Sequence, residues 1–586
     1  MNKSEKLIVV LLGLVLAGWI WHSASEQKKV SEGQASRAAA TTPATREDVG
    51  RKALAKASVE TKGAAAEKIA KKEIRAPERL EVLSNDQMEL TLSSHGAVVV
   101  KARMLRYAER PGDVSEANPP VVLDFSAHPA LALSGVDGMA ADADCAVAEK
   151  TADTVVFTNA FMRRAISLKP DYKIEVSETF ASECGKDSVT ALSLGSMSLG
   201  TSKNDILSVD SWIVADEKGR SHVVHHGDED DLKSYLAGGM GGCGGSRSAA
   251  GMPPAMSVDI PGARTWLAVK NRFFVTALVG LTGDAGFSAT IDRDMTKQEY
   301  VPKTVSAAMK SASLPETRSY TLYLGPKKQD LLWDLGLKDV MEFGMWRWLC
   351  YPMVMVLNFF NACIPNYGVA IILMTVLVRL IFWPLTHKST VGMRRMQEIQ
   401  PLMKEIQAKY KDNPQRMQQE TWQLYREHKV NPMSSCLPML IQIPVFIALF
   451  NVLRSTVELR YAPFLWIADL SEPEALFSSW FPFGGLNILP ILMAATMALQ
   501  SALTPSTGDA KQQRMMMVMM PIMMLVMFYN FPSALSLYWT LSQVFSIVQM
   551  WWIRKKYTPA PAKNGVVTPD SVEMPMTRQM RRHGKG

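Results

Sequence analysis

Six long apolar runs lie between Leu349 and Ile553, and this succession restricts the fold more than any other feature of the 586 residues. No water serves the backbone inside lipid, so each spanning run must close its own hydrogen bonds. A helix of about 20 residues does so across about 30 Å of hydrocarbon. The runs are 349–364, 367–385, 433–455, 486–504, 515–531 and 533–553.

Loop charge decides which runs cross. If 349–364 and 367–385 both spanned, segment 386–431 would lie outside, yet it holds nine Lys/Arg against five Asp/Glu. Basic loops stay in the cytoplasm. The reading is therefore one crossing at 367–385, with 331–364, which carries Trp346, Trp348 and Pro352, as an amphipathic segment along the outer interface. The remaining loops agree: 456–485 has four acidic residues and one Arg, whereas Lys511, Arg514 and Arg554–Lys556 mark the inner side. Residues 365–556 form a five-helix core, with 386–431 as a cytoplasmic helical hairpin whose apolar positions (Met396, Ile399, Leu402, Ile406, Met417, Trp422, Leu424) flank the break at Asp412-Asn413-Pro414.

At the start, Lys3 and Lys6 precede the uncharged stretch 7–21. That pattern fits a retained anchor over 1–22, and also a signal peptide cleaved near Ser23 or Ser25. With an anchor, the chain has six transmembrane helices and both termini in the cytoplasm. Residues 23–78 are rich in Ala, Lys, Glu and Thr and too poor in aromatics to order themselves, which predicts a flexible tether. From 79 to 330, short alternating segments such as 88–92, 98–104, 172–180 and 320–324, punctuated by Gly, Pro, Asp and Asn, predict an extracytoplasmic antiparallel β-sandwich. The glycine run 238–251 reads as a loop, and 557–586 as a basic cytoplasmic tail.

Arg379 is the most informative residue. Its neighbours over 371–382 are all apolar or small, and a charge at such a depth costs about 2.5–3.5 kcal/mol. Either it snorkels to the inner interface or it lines a polar cavity within the membrane, with Thr375 one turn away on the same face. Gln442, Ser536, Thr540 and Gln543 are read in two ways, as hydrogen-bonded helix packing or as lining of that cavity. The run Met515–Met524 places methionines on both sides of Pro521, and soft unbranched side chains suit many apolar partners as well as lipid.

Several chemistries lack support. His222, His225, His226 and Asp228–Asp231 show no rigid ligand spacing. The six cysteines have no zinc or redox pattern, and a disulfide among Cys145, Cys184 and Cys243 stays open. Phosphate-binding loops, HExxH and a nucleophile elbow are absent from the sequence, so the chain reads as a non-enzyme without cofactor or metal. Its net charge of +8 sits beside membrane spans and does not indicate DNA.

In layout the chain resembles the YidC/Oxa/Alb insertase family, in particular its Gram-negative YidC type with a large periplasmic domain. The residues that carry the resemblance are Thr375, Arg379 and Trp383-Pro384-Leu385-Thr386; Val430-Asn431-Pro432-Met433, Cys436-Leu437-Pro438 and Gln442-Ile443-Pro444; Val457-Glu458-Leu459-Arg460, Pro463 and Trp466; Leu489-Pro490-Ile491-Leu492-Met493; and Phe531-Pro532-Ser533-Ala534-Leu535 with Leu537-Tyr538. The resemblance implies a hydrophilic groove closed on the periplasmic side, with Arg379 inside. It also implies a client-sliding face, here Ile443, Phe446, Met516, Met520, Met523, Tyr538 and Trp539. For 79–330 it implies a β-supersandwich related to sugar mutarotases, resting on 82–107 and 320–335. Nascent membrane proteins, the Sec translocon, lipids, and ribosomes or targeting factors at the hairpin and tail are the implied partners. Where relatives often carry two tyrosines in the last span, this chain has Tyr538-Trp539, so no tyrosine hydroxyl is available at 539. A polytopic solute transporter or channel with a solute-binding β domain is the competing reading; it predicts internal repeats and paired intramembrane charges, and the sequence shows neither.

Overall fold

The computed structural model describes residues 77–181, 189–200, 205, 207–214, 222–225, 254–296, 302–428, 430, 437–477, 485–503 and 510–556. The anchor, most of the tether, the glycine run, His226, Asp228–Asp231, Cys184, Cys243 and the tail lie outside them.

Eighteen described strands form two nine-stranded antiparallel sheets, facing each other across a core of Val, Leu, Ile, Phe and Met. The alternation seen in the sequence is the reason: strand Lys173–Phe180 buries every second residue. Strands Met88–Ser93, Val98–Ala108 and Thr317–Pro326 extend the predicted segments by a few residues. Cys145 is a buried free thiol near the Asn159 amide.

The core also holds a charge cluster that alternation could not announce. Glu178 is fully buried and takes Arg164 Nε at 2.7 Å, Tyr320 OH at 2.8 Å and the Arg318 guanidinium. Arg164 in turn donates to the carbonyls of Gly96 and Ala97 in a turn of the first sheet and of Leu131 in its strand Ala130–Ser134, tying the two sheets together. Both guanidinium groups hold the Glu178 carboxyl below the usual range, against the opposing effect of burial.

Nine helices follow among the described residues: α1 (Gln329–Asp334), α2 (Arg347–Cys363), α3 (Tyr367–Glu398), α4 (Gln400–Lys409), α5 (Pro414–Glu427), α6 (Leu437–Ser455), α7 (Ile488–Leu503), α8 (Ala510–Phe528) and α9 (Ser533–Lys556). Within α3, Tyr367–Gly392 is long and apolar enough to cross a membrane. Gln442–Ser455, Ile488–Leu503 and Met517–Phe528 are shorter apolar stretches. The border expected at 385/386 is not a break, because α3 runs through Pro384 to Glu398 and α4 begins only after Ile399. Asn413 caps α5 by accepting from Arg416 N, with Pro414 at the first helical position. Met396, Ile399, Met403, Leu424 and Val430 form the hairpin's small core, whereas Trp422, predicted to join it, is exposed.

Helix α2 buries Cys350, Met353, Val354 and Leu357 on one face and exposes Trp348, Met355 and Phe359 on the other. Both faces are apolar, which suits a helix lying between protein and lipid.

The Glu178 cluster gives a direct test of the β domain. Glu178→Gln leaves two buried guanidinium groups without their counter-charge and is expected to cost on the order of 3–5 kcal/mol. In limited proteolysis of the full chain, cleavage between residues 77 and 330 should accelerate while fragments from α3 onward stay intact. Unchanged cleavage would show that the cluster does not hold the domain together.

Candidate functional site

Helices α3 and α9 pack side by side, and Arg379 faces the seam between them. The Arg379 guanidinium donates to the Ser542 carbonyl, which also accepts from Ser546 Oγ at 3.0 Å. It makes no ion pair with any described residue. A guanidinium has five N–H donors, so most of its capacity is left for another acceptor.

The other groove candidates divide. Thr375 is fully buried and gives its hydroxyl to Ile371 O (2.7 Å), and Thr540 gives its own to Ser536 O (2.7 Å). Both donors are therefore used within their own helices. Ser536 Oγ is buried without a hydrogen-bond partner, Gln543 is buried, and Gln442 on α6 is half-buried. The structure thus joins Arg379 to α9, while the threonines act mainly as packing.

One partner escaped sequence reading. Gln549 Nε2 donates to Thr386 Oγ1 (3.2 Å), and Trp383 lies 6.1 Å from Trp552, so a polar and aromatic seam continues along α3 and α9 beyond Arg379. The positions Ser542, Ser546 and Gln549, spaced i, i+4 and i+7, are its available signal.

The proposed sliding face is an aromatic cluster flanked by methionines. Phe446 meets Trp539 edge to face at 4.8 Å and Phe528 at 5.9 Å; Ile443 and Met523 are exposed and Met520 is half-buried. The side chain of Met516 lies outside the described set. Tyr538 does not share this face: it is 2% exposed and within electrostatic reach of Arg379. Successive helical residues point about 100° apart, so Tyr538 turns toward Arg379 while Trp539 turns toward Phe446. The Trp539 indole N–H is buried and unpaired.

A second cluster joins the β domain to the helices. In the turn between strands Arg264–Lys270 and Phe274–Gly283, the Asn271 side chain accepts from the N–H groups of Phe273 and Phe274. This turn presents Arg272, which is buried and donates to Arg454 O (2.9 Å), Ser471 O (2.7 Å) and Glu472 Oε1 (2.5 Å). Nearby, Lys270 Nζ lies between Asp210 and Glu342, and His225 Nδ1 is 3.1 Å from Asp210. The lysine supplies the counter-charge for both carboxylates. Burial, reinforced by the Lys270 charge, lowers Lys327 to about 7.

Glu458, just after α6, is the outlier. Its carboxylate oxygens are buried, and burial lifts its pKa to about 7, with its own backbone N–H, the Lys328 charge and the Asn358 side chain only partly opposing the shift.

Comparison with known proteins bears on this architecture. A family model described as "60Kd inner membrane protein" matches residues 359–560, and one described as "YidC periplasmic domain" matches 255–356. The chain belongs to the YidC family. Its β-sandwich is that family's periplasmic domain, and the family resides in the inner membrane. A "Membrane protein insertase YidC" of Syntrophobacter fumaroxidans is 41% identical over 50% of this chain and 54% of its own length, so the chain spans about half of such curated relatives. One from Chlorobium limicola is 28% identical over 94% of both chains. These relatives are named as insertases, not enzymes. A solved structure titled "Active YidC insertase crystal structure with the first transmembrane domain resolved" is 17% identical, covering 83% of this chain and 94% of that one with a TM-score of 0.34.

Glu458 yields a pH prediction. Its folded pKa exceeds the unfolded value of 4.5, so the native state holds an extra proton between about pH 4.5 and 7; stability falls as pH rises through that window and the full penalty remains above it. Glu458→Gln should raise the melting temperature at pH 8, where up to about 3 kcal/mol is recovered, and change it little at pH 4.5. Thermal melts with equal shifts at both pH values would refute the assignment.

Proposed function

We propose that the chain is a membrane protein insertase whose working part is a polar groove along α3 and α9, with Arg379 as its charge. The supporting observation is that the Arg379 guanidinium has a neutral carbonyl as its hydrogen-bond acceptor and no described ion pair. A cation held this way attracts the polar or acidic end of an incoming segment. Water around it lowers the desolvation cost of carrying that end across.

In this reading α3, α6, α7, α8 and α9 are the spans at 367–385, 433–455, 486–504, 515–531 and 533–553. With the anchor they make six, and both termini are cytoplasmic. The tether is 23–78, the periplasmic domain 79–330 and the interfacial segment 331–364. The hairpin 386–431 and the tail 557–586 face the cytoplasm. An apolar client segment slides along Ile443, Phe446, Met516, Met520, Met523 and Trp539, while its polar end meets Arg379 and Gln442, with Tyr538 and Gln543 behind. Thr375, Ser536 and Thr540 pack the groove wall. The exposed apolar faces of α8, where Met519, Met523 and Met527 stand clear of the protein, support this path. Nascent membrane proteins are the clients. The Sec translocon cooperates at the membrane, and the basic hairpin and tail meet ribosomes, targeting factors or lipid headgroups.

The test is photocrosslinking from positions 375, 442, 520 and 538 to a ribosome-arrested nascent membrane protein, with Arg379 varied. Losing one charge-assisted hydrogen bond of about 1.5–3 kcal/mol should reduce groove crosslinks roughly ten- to hundredfold in Arg379→Ala, with partial recovery in Arg379→Lys. Silence at all four positions with folded protein in the membrane would favour the solute-transporter reading.

A further inference from the structure

The first sheet opens at one place. Strand Pro120–Asp124 pairs with Val98–Ala108 and with no other described strand. Its Phe125 N–H donates to Val100 O at 2.8 Å, whereas the Asp124 carbonyl turns the other way and accepts from Ser196 Oγ at 3.4 Å. Main-chain groups alternate sides along a strand, so the N–H and C=O of Val122 point with Asp124 away from the ladder. Strand Thr190–Ser198 runs on that side, but its pairing with Ala130–Ser134 ends at Leu194, and beyond it Ser196–Ser198 pair only with Pro302–Ser311. A gap therefore separates two strand edges whose outward main-chain groups have no main-chain partner among the described residues.

That gap opens into a cavity of about 690 Å³ between the β domain and the loops of the helical part. Val122, Leu123, Leu199 and Phe274 give the lining its apolar part, and Arg460 and Tyr461 line it beside Phe274. Arg460 stacks over the Tyr461 ring (4.2 Å) and the Phe274 ring (5.6 Å), donates to Ala108 O (2.8 Å), and has no ion pair among the described residues. Of the four carboxylates on the lining, Asp205 accepts from Arg272 N, Asp469 from Ser471 N, and Glu472 pairs with Arg272, while Glu109 is exposed at the rim.

We infer that this gap is a binding site for an extended polypeptide segment, which adds as a strand to the free edge of Pro120–Asp124 and places an acidic side chain against Arg460. An unpaired edge recognises main chain, an apolar wall takes alternate side chains, and a stacked guanidinium selects a carboxylate. The occupant is the exported segment of a client, because the cavity is rimmed by helix connections: Arg460 and Tyr461 follow α6, Asn487 precedes α7, and Asn530 joins α8 to α9. This assignment rests on the insertase reading, which makes those connections the place where a translocated segment emerges.

The experiment uses the full chain in inner-membrane vesicles and an arrested client whose exported segment contains aspartates. Photoreactive residues are placed in parallel at 122 and at 375. Crosslinks from both are expected, with the signal at 122 falling at least fivefold when the client aspartates become lysines. A second arm moves the probe to 199 and compares Val122→Pro with Val122→Ala. Proline removes the outward N–H but no bond to Val98–Ala108, and edge strands tolerate it. The proline variant should lose at least fivefold at 199 with an unchanged melting temperature, and the alanine variant should not. Crosslinks at 375 with none at 122 overturn this site and leave the insertase reading standing. Silence at 122 and at 375, 442, 520 and 538 together removes both. Equal yields from proline and alanine variants, or from aspartate and lysine clients, show that the contact is not strand addition beside Arg460.

Discussion

The clasp of Arg272 on the loop after α6 is the interaction on which the relation between the two halves of the described chain depends. A single buried guanidinium joins the tip of a β turn to the carbonyls of Arg454 and Ser471 and to the Glu472 carboxylate. Its own backbone N–H is held by Asp205, so neither side of the clasp is loose. Planar, fork-shaped donors suit this task because they satisfy several acceptors at fixed angles, which a lysine cannot do. The cavity beside Arg460 exists because the clasp holds the β domain over the loops without filling the space between them.

Charge is handled differently in each layer. In the β-sandwich, Glu178 lies between Arg164 and Arg318 and gives both a counter-charge close at hand. At the junction, Lys270 bridges Asp210 and Glu342, while Glu458 and Lys327 are pushed toward neutrality because burial outweighs what their neighbours supply. Arg379 has only a carbonyl, so its positive charge stays available. Arg164, Arg318, Lys270 and Arg272 thus meet carboxylates within the protein, whereas Arg379 and Arg460 have no ion pair among the described residues. That contrast is what supports the groove proposed for Arg379.

Much of this is legible in the order of the residues. The period-2 segments fold as strands, and the break at Asp412-Asn413-Pro414 is the capped start of α5. Arg379 stands out because a charge among apolar neighbours is costly. Legibility ends where a residue's role depends on a distant partner or on the exact turn of a helix. Thr375 and Thr540 have the polarity of groove lining, yet their hydroxyls bond the preceding turn. Tyr538 and Trp539, adjacent in sequence, face different neighbours. Helix α3 passes the predicted border because Pro384 is accommodated within it.

Periodicity and hydrophobic length are properties of neighbouring residues, so the division into a β-rich part and an apolar helical part is written in the chain itself. The same holds for the singular status of Arg379, because the cost of burying a charge follows from local apolarity. Folding alone settles which carbonyl Arg379 meets, that Arg272 clasps a loop about 200 residues away, and that a strand edge is left open beside Arg460. Those outcomes follow from hydrogen-bond geometry between groups far apart in the chain, and linear order carries no record of the distances and angles that satisfy them.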